Sequence, residues 1–246
     1  MREQSLAGDE AGRMPAFPLS VFSRLMLALL VGTLPLVAIV TGLVGLRTDA
    51  IVLSLFAYLA AGVLALALLK RGFPHPTLGA ANLVTTFRLV VVSGLVSGAL
   101  YPSSSWLIVV LATGALILDG VDGYLARRQN RVSEFGTRFD MEIDTALAVV
   151  LAMIAAAAGL VGLWVLLLAM PRYLFVVAAK FLPWLWAELP YSLARRVVSV
   201  LQITALIVIN APIFGGVLAL PVAVSAAALL LWSFGRDLIW LFRARA

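Results

Sequence analysis

Residues 106–160 read WLIVVLATGALILDGVDGYLARRQNRVSEFGTRFDMEIDTALAVVLAMIAAAAGL. Two apolar stretches, Trp106 to Ala126 and Phe139 to Leu160, each come near the roughly 20 residues that a helix needs to cross a bilayer. They are joined by a short polar link and carry acids at the ends they share. Outward from this pair, similar stretches run from Leu25 to Leu46, Ile51 to Leu69 and Val217 to Phe234, and less pure ones from Val84 to Tyr101, Leu163 to Trp184 and Val197 to Phe214. No ten-residue alternating pattern appears, which excludes transmembrane strands. The expected fold is an all-α, polytopic transmembrane helical bundle of eight helices. A loop from Lys70 to Gly79, with Pro74 and Pro76 around His75, separates two N-terminal helices from a core of six. The division is a tail over residues 1–24, two accessory helices over 25–70 and a core over 77–243.

Composition points the same way. Of 246 residues 63% are hydrophobic and 12% charged, and the mean hydropathy is +1.08, more apolar than a water-soluble surface allows. The net charge of +6 follows membrane sidedness. With the N-terminus inside, the segments on the cytoplasmic side hold Arg2, Arg13, Arg24, Lys70, Arg71, Arg88, Arg127, Arg128, Arg131, Arg138, Arg195, Arg196, Arg236, Arg243 and Arg245, and Arg47 alone falls in an outer loop. Both termini are therefore expected on the cytoplasmic side of a cell (inner) membrane. No soluble basic domain exists to bind nucleic acid. The absence of cysteine excludes disulfides and thiolate-bound zinc, and a lone histidine, His75, excludes multi-His sites and reads as part of a solvated turn.

Six of the twelve acids lie between Asp119 and Asp144. An aspartate at the centre of a transmembrane helix costs roughly 2.5–3.5 kcal/mol on insertion scales, so a group of four demands a cationic partner. Asp119 and Asp122 are three apart, Asp140 and Asp144 four apart, and each pair occupies one helix face. The short link makes the two helices adjacent and antiparallel, so the faces are expected to converge near the cytoplasmic end. All-oxygen ligation suits Mg²⁺, Mn²⁺ or Ca²⁺, and four carboxylates have capacity for two ions. Gly123 and Ala126 leave the adjoining face nearly bare, and Arg127 and Arg128 read either as phosphate partners or as interfacial anchors. Glu134 reads as solvated. Glu142 points to another face, within i,i+4 reach of Arg138.

The run D119-G-V-D122-G123-Y-L-A126-R127, then Gly136, Asp140 and Asp144, resembles the signature of the CDP-alcohol phosphatidyltransferase family at every defining position. Upstream, Asn82, Thr85 and Arg88 resemble the family's N-x-L-T-x-x-R opening of the first core helix, with Val84 in place of Leu. The resemblance implies a six-helix core and a homodimer. It also implies transfer of a phosphatidyl group from a CDP-diacylglycerol-type lipid to a polar or lipid alcohol, with CMP released. Further, it implies two divalent ions (Mg²⁺ or Mn²⁺) on Asp119, Asp122, Asp140 and Asp144, Asp144 as general base, and contacts to the CDP-lipid from Asn82, Thr85, Gly123, Arg127 and Ser133.

Two intramembrane cations stand in the sixth helix, Arg172 and Lys180. Lys180, near the helix end, reads as snorkelling, whereas Arg172 lies deeper and needs a partner, either the aspartates or a phosphate on the acceptor. Arg196, Ser199 and Gln202 resemble the start of the next helix in family members that use glycerol phosphate or phosphatidylglycerol, although Arg195, Val198 and Tyr173 depart from that pattern. Arg172 and Arg196 are thus the acceptor-binding candidates. A divalent-cation transporter built on the same aspartate cluster is the alternative reading, and a catalytically inactive scaffold is a third. The first leaves Gly123, Ala126 and Arg127 without a role.

Overall fold

Backbone amides inside a bilayer have no water to bond and must pair within the chain. The computed structural model describes residues 19–102, 105–129, 132–182, 184, 193–212 and 217–244, with the backbone alone at 19, 20, 172, 176, 193 and 244. It meets this demand with helices, and no strand occurs among the described residues. The elements are α1 (Leu19–Val31), α2 (Thr33–Val44), α3 (Thr48–Lys70), α4 (Gly79–Leu95), α5 (Ser97–Leu100), α6 (Trp106–Arg128), α7 (Glu134–Ala157), α8 (Leu166–Ala169), α9 (Pro171–Phe181), α10 (Leu193–Ile209) and α11 (Ala219–Ala244). Every apolar stretch named above is helical over most of its described length.

Among the described residues, five spans are long and apolar enough to cross a membrane, over residues 21–44, 48–70, 79–100, 106–128 and 219–243. The protein is a polytopic helical bundle. α10, at 17 residues, is shorter, and α7 carries Glu134, Arg138, Asp140, Glu142 and Asp144 in its first half. The sixth expected helix is not straight. A 3-10 turn over Leu163–Val165 and α8 meet α9 at a 74° bend. Pro171 opens α9; it has no N–H to give the carbonyl of Leu167, and its ring crowds that turn. The first span is interrupted at Gly32 for a related reason, since Pro35 leaves the carbonyl of Val31 without its helical donor. α1 begins at Leu19, six residues before the expected start, and the rest of the expected tail, residues 1–18, lies outside the described residues.

α4 is the centre of the bundle. In its apolar window 67% is buried, against 17–22% in the other four spans, and Leu89 to Leu95 are buried without a gap. It packs most closely against α6, and also against α2, α3 and α7. Its composition explains the position. Asn82, Thr85, Thr86, Arg88 and Ser93 are polar and buried, and a helix carrying them is stable in lipid only when its neighbours cover those groups.

Small residues set the depth of the packing. A Cβ on Gly94 would stand 2.5 Å from Ile39 Cγ2 of α2, and one on Gly32 would stand 2.8 Å from Val90 Cγ2 of α4. Tyr58 of α3 donates its hydroxyl to the Leu29 carbonyl at 2.9 Å, wholly inside the protein. At the other end of these spans the Arg47 guanidinium lies 4.5 Å over the Tyr101 ring, and the Tyr101 hydroxyl donates to Asp49. The loop expected to be a solvated turn is partly packed. The His75 ring meets Phe73 edge-on at 5.5 Å between centroids, and its Nε2 is buried.

Gly94→Val should force Ile39 and α2 away from α4 and destabilise the protein by about 1–3 kcal/mol. Thermal unfolding in detergent measures this, with Gly235→Ala as a control. A Cβ on Gly235 meets nothing within 4 Å, so that variant should unfold at or slightly above the wild-type temperature.

Candidate active site

Three helices supply the site. On α4, Asn82, Thr85 and Arg88 follow one another at intervals of three and lie buried toward one side. α6 contributes Asp119 and Asp122 near its C-terminal end, and α7 contributes Asp140 and Asp144 two to three turns from its start. α7 begins where it does because Ser133 caps it, its Oγ accepting the Gly136 N–H at 3.0 Å. That cap fixes the axial position of both α7 aspartates.

The expected adjacent pair of α6 and α7 is corrected in one respect. α4 lies against both, and each touches α4 far more than it touches the other. The four carboxylates still converge, and they do so on a guanidinium. Arg88 Nη1 stands 3.2 Å from Asp119 and 3.0 Å from Asp122 and also contacts Asp140, while Nη2 contacts Asp144. The Arg88 side chain is 0% exposed, Asp122 4%, Asp119 22%, Asp140 32% and Asp144 35%. The arginine therefore closes the back of the cluster, and three carboxylates open to the front. Arg88 is not the interfacial anchor that its place in the charge pattern suggested. The signal that would have found it is the one applied to Arg172 and Lys180, a cation inside an apolar stretch.

One guanidinium cannot balance four carboxylates; fully ionised, the cluster keeps a formal charge of −3. Asp119, Asp140 and Asp144 each offer an oxygen within 4.8 Å of the others. These donors are hard, oxygen-only and open on one side, which fits a divalent cation of the Mg²⁺ or Mn²⁺ kind. Asp122 is held differently. Thr85 Oγ1 donates to its Oδ2 at 2.9 Å while also bonding the Ala81 carbonyl at 3.1 Å, so its orientation is set from α4.

The remaining expected contacts surround this centre. Asn82 and Ser133 meet at Gly136, where a Cβ would lie 3.1 Å from Asn82 Oδ1 and 3.2 Å from Ser133 Oγ. Gly136 was noted only as part of the signature; here it is what lets the start of α7 approach α4. Gly123 and Arg127 form a second pair. A Cβ on Gly123 would lie 3.3 Å from Arg127 Nη1, so the bare helix face is where the arginine head rests. Arg138 pairs with Glu134 at 2.6 Å, and Glu142 accepts from the Tyr173 hydroxyl of α9 at 3.3 Å. Glu134 is thus an ion-pair partner, and Tyr173 ties α9 to α7. Arg196 is exposed near the start of α10; for Arg172 only the backbone, in α9, is among the described residues. Gln202 donates to the Leu168 carbonyl, next to the bend.

A family model described as CDP-alcohol phosphatidyltransferase matches residues 78–234, more than half of the chain. No curated protein and no solved structure matches. The match begins at α4 and leaves α1, α2 and α3 outside it.

Arg88→Met should remove the internal counter-charge and lower stability in EDTA by about 3–5 kcal/mol. Melting temperature in detergent reads the loss. Added Mg²⁺ or Mn²⁺ should raise the melting temperature of the variant more than that of the wild type, because the cation then meets uncompensated carboxylates.

Proposed function

Because the chain belongs to the CDP-alcohol phosphatidyltransferase family, we propose that it transfers a phosphatidyl group from a CDP-diacylglycerol-type lipid to an alcohol acceptor and releases CMP. The observation that carries this reading is the convergence of Asp119, Asp122, Asp140 and Asp144 from two helices, three of them with oxygens within 4.8 Å. The catalytic core is the region from 77 to 243, and residues 25–70 are accessory to it. The aspartate end faces the cytoplasm of the cell membrane, where both a nucleotide-linked lipid and a polar alcohol are accessible.

In this reading Asp144, the most exposed of the four carboxylates, takes the proton of the acceptor hydroxyl. The hydroxyl oxygen bonds to the lipid-bearing phosphorus, the bridging P–O bond breaks, and CMP leaves with that oxygen. Mg²⁺ or Mn²⁺ held by the aspartates would supply Lewis-acid stabilisation of the charge on the diphosphate. Arg127, on the open face beside Gly123, has the forked geometry to hold a phosphate oxygen pair. Asn82, Thr85 and Ser133, buried beside the cluster, are the further groups that this reading assigns to the CDP-linked lipid. Arg172 and Arg196, on the two helices that follow α7, are the groups for a charged acceptor. The transport alternative is disfavoured by Arg88, a buried cation standing behind the carboxylates where a permeating cation would have to pass.

CMP release from CDP-diacylglycerol is the test, with glycerol 3-phosphate, inositol phosphate, inositol, serine, choline and phosphatidylglycerol supplied in separate reactions. Turnover should need one acceptor and a divalent cation and should stop in EDTA. Asp144→Asn should lower kcat by about 10²–10⁴-fold while the protein stays folded. Near-normal turnover of that variant would remove Asp144 from the base role.

A further inference from the structure

The two sides of the break in the sixth expected helix are held differently. Val165, Leu168 and Ala169 before it are buried in the core, whereas Tyr173, Leu174, Val177 and Phe181 of α9 are exposed. The apolar contacts of α9 include Ala179 with Leu241 and Phe175 with Phe234, all at or beyond its second turn and against α11. In lipid such contacts give a helix little orientation, and bonds between polar groups carry more of it. Two such bonds flank the break. The Tyr173 hydroxyl donates to Glu142 of α7 at 3.3 Å, and Gln202 of α10 donates to the Leu168 carbonyl. α8 is four residues long, so its carbonyls belong to a last helical turn, where no donor follows in the same helix. Pro171 brings no N–H of its own. Away from water such a carbonyl takes its donor from a neighbouring helix, and for Leu168 that donor is Gln202.

The depth of the break follows from α7. Asn210 of α10 donates to the Leu151 carbonyl of α7 at 3.1 Å. Leu151 lies nine residues beyond Glu142 and Asn210 eight beyond Gln202, about 13.5 and 12 Å at the helical rise. These near-equal spacings set α7 and α10 side by side in the same direction, with Gln202, Leu168 and Tyr173 at the depth of Glu142. Asp140 and Asp144 each stand two residues from Glu142. The chain therefore turns by 74° level with the carboxylates. Glu142 itself is on another face of α7, so the two bonds place α9 without touching the reacting groups.

We propose that Gln202 is a positioning residue for the acceptor. By bonding the Leu168 carbonyl it holds the break level with the carboxylates, and so fixes α9, which carries Arg172, relative to α10, which carries Arg196. The inference rests on the transferase reading for the role of those two arginines. Arg196 lies six residues before Gln202 on the same helix, so a shift of α9 changes the separation of the two cations directly. The aspartates and the groups assigned to the CDP-linked lipid stand on α4, α6, α7 and the link before α7. A displaced α9 leaves them in place and weakens the hold on the acceptor alone.

The chain has no cysteine, so spin labels can be attached at Leu174→Cys of α9 and Phe56→Cys of α3, both exposed. Pulsed dipolar measurements on the full chain in nanodiscs should give a single narrow distance distribution. Gln202→Met, which keeps the length of the side chain and cannot donate, should broaden or shift it. Gln202→Glu, ionised and equally unable to donate, should do the same and serves where the first variant fails to fold. In the CMP-release assay with CDP-diacylglycerol and whichever of the six acceptors above supports turnover, each variant should raise the KM for the acceptor by about tenfold. kcat and the KM for CDP-diacylglycerol should change by less than about twofold. An unchanged distance distribution, equal rises in both KM values, a fall in kcat alone, or failure of both variants to fold would each overturn the positioning role. The two readings fail separately. A broadened distribution without CMP release from any acceptor would keep the hold of Gln202 on α9 and sink the transferase reading, whereas CMP release with unchanged distances would do the reverse.

Discussion

Arg88 and the four aspartates are the contact on which the rest of the bundle depends. A wholly buried guanidinium in a membrane helix is tolerable only with carboxylates around it, and clustered carboxylates only with a cation among them. Each side makes the other possible, and together they bring α4, α6 and α7 to one point. Because the arginine is the inner member, the negative charge left over faces outward, where Asp119, Asp140 and Asp144 are partly exposed. A buried ion pair and a partly open acidic face are thus two sides of one cluster.

Around this point the packing is controlled by what is missing from side chains. Gly136 lets the cap of α7 reach Asn82, Gly123 lets Arg127 lie flat against its own helix, and Gly94 and Gly32 let the N-terminal spans sink onto α4. In lipid, apolar contact alone gives helices little reason to associate, and close approach with internal polar bonds must replace it. The Tyr58 to Leu29 bond and the Arg47, Tyr101 and Asp49 cluster are of that second kind.

Most of the fold was legible because apolar length survives any packing arrangement, and the aspartate faces were legible because spacings of three and four are local facts. Arg88 was misplaced for a physical reason. A cation near the start of a span has the same local sequence whether it anchors at the interface or turns inward, and only its partners, 31 to 56 residues away in the chain, decide. The intervening position of α4 was hidden for the same cause, since a short link makes two helices neighbours in sequence without excluding a third between them. Pro171 marks the bend in the sixth expected helix, but apolar length alone reads the stretch from Leu163 to Trp184 as one continuous helix. Ser133 as a cap was available from its place ahead of Glu134 and an apolar run.

The central position of α4 also bears on how the chain is made. Synthesis proceeds from the N-terminus, so α4 enters the membrane with Arg88 before α6 and α7 exist to receive it. Among the described elements, those that precede α4 are α1, α2 and α3, and they meet it through Gly32 and Ile39. The face that they present to α4 is therefore, among the described elements, the first protein surface it can pack against, ahead of the carboxylates on α6 and α7.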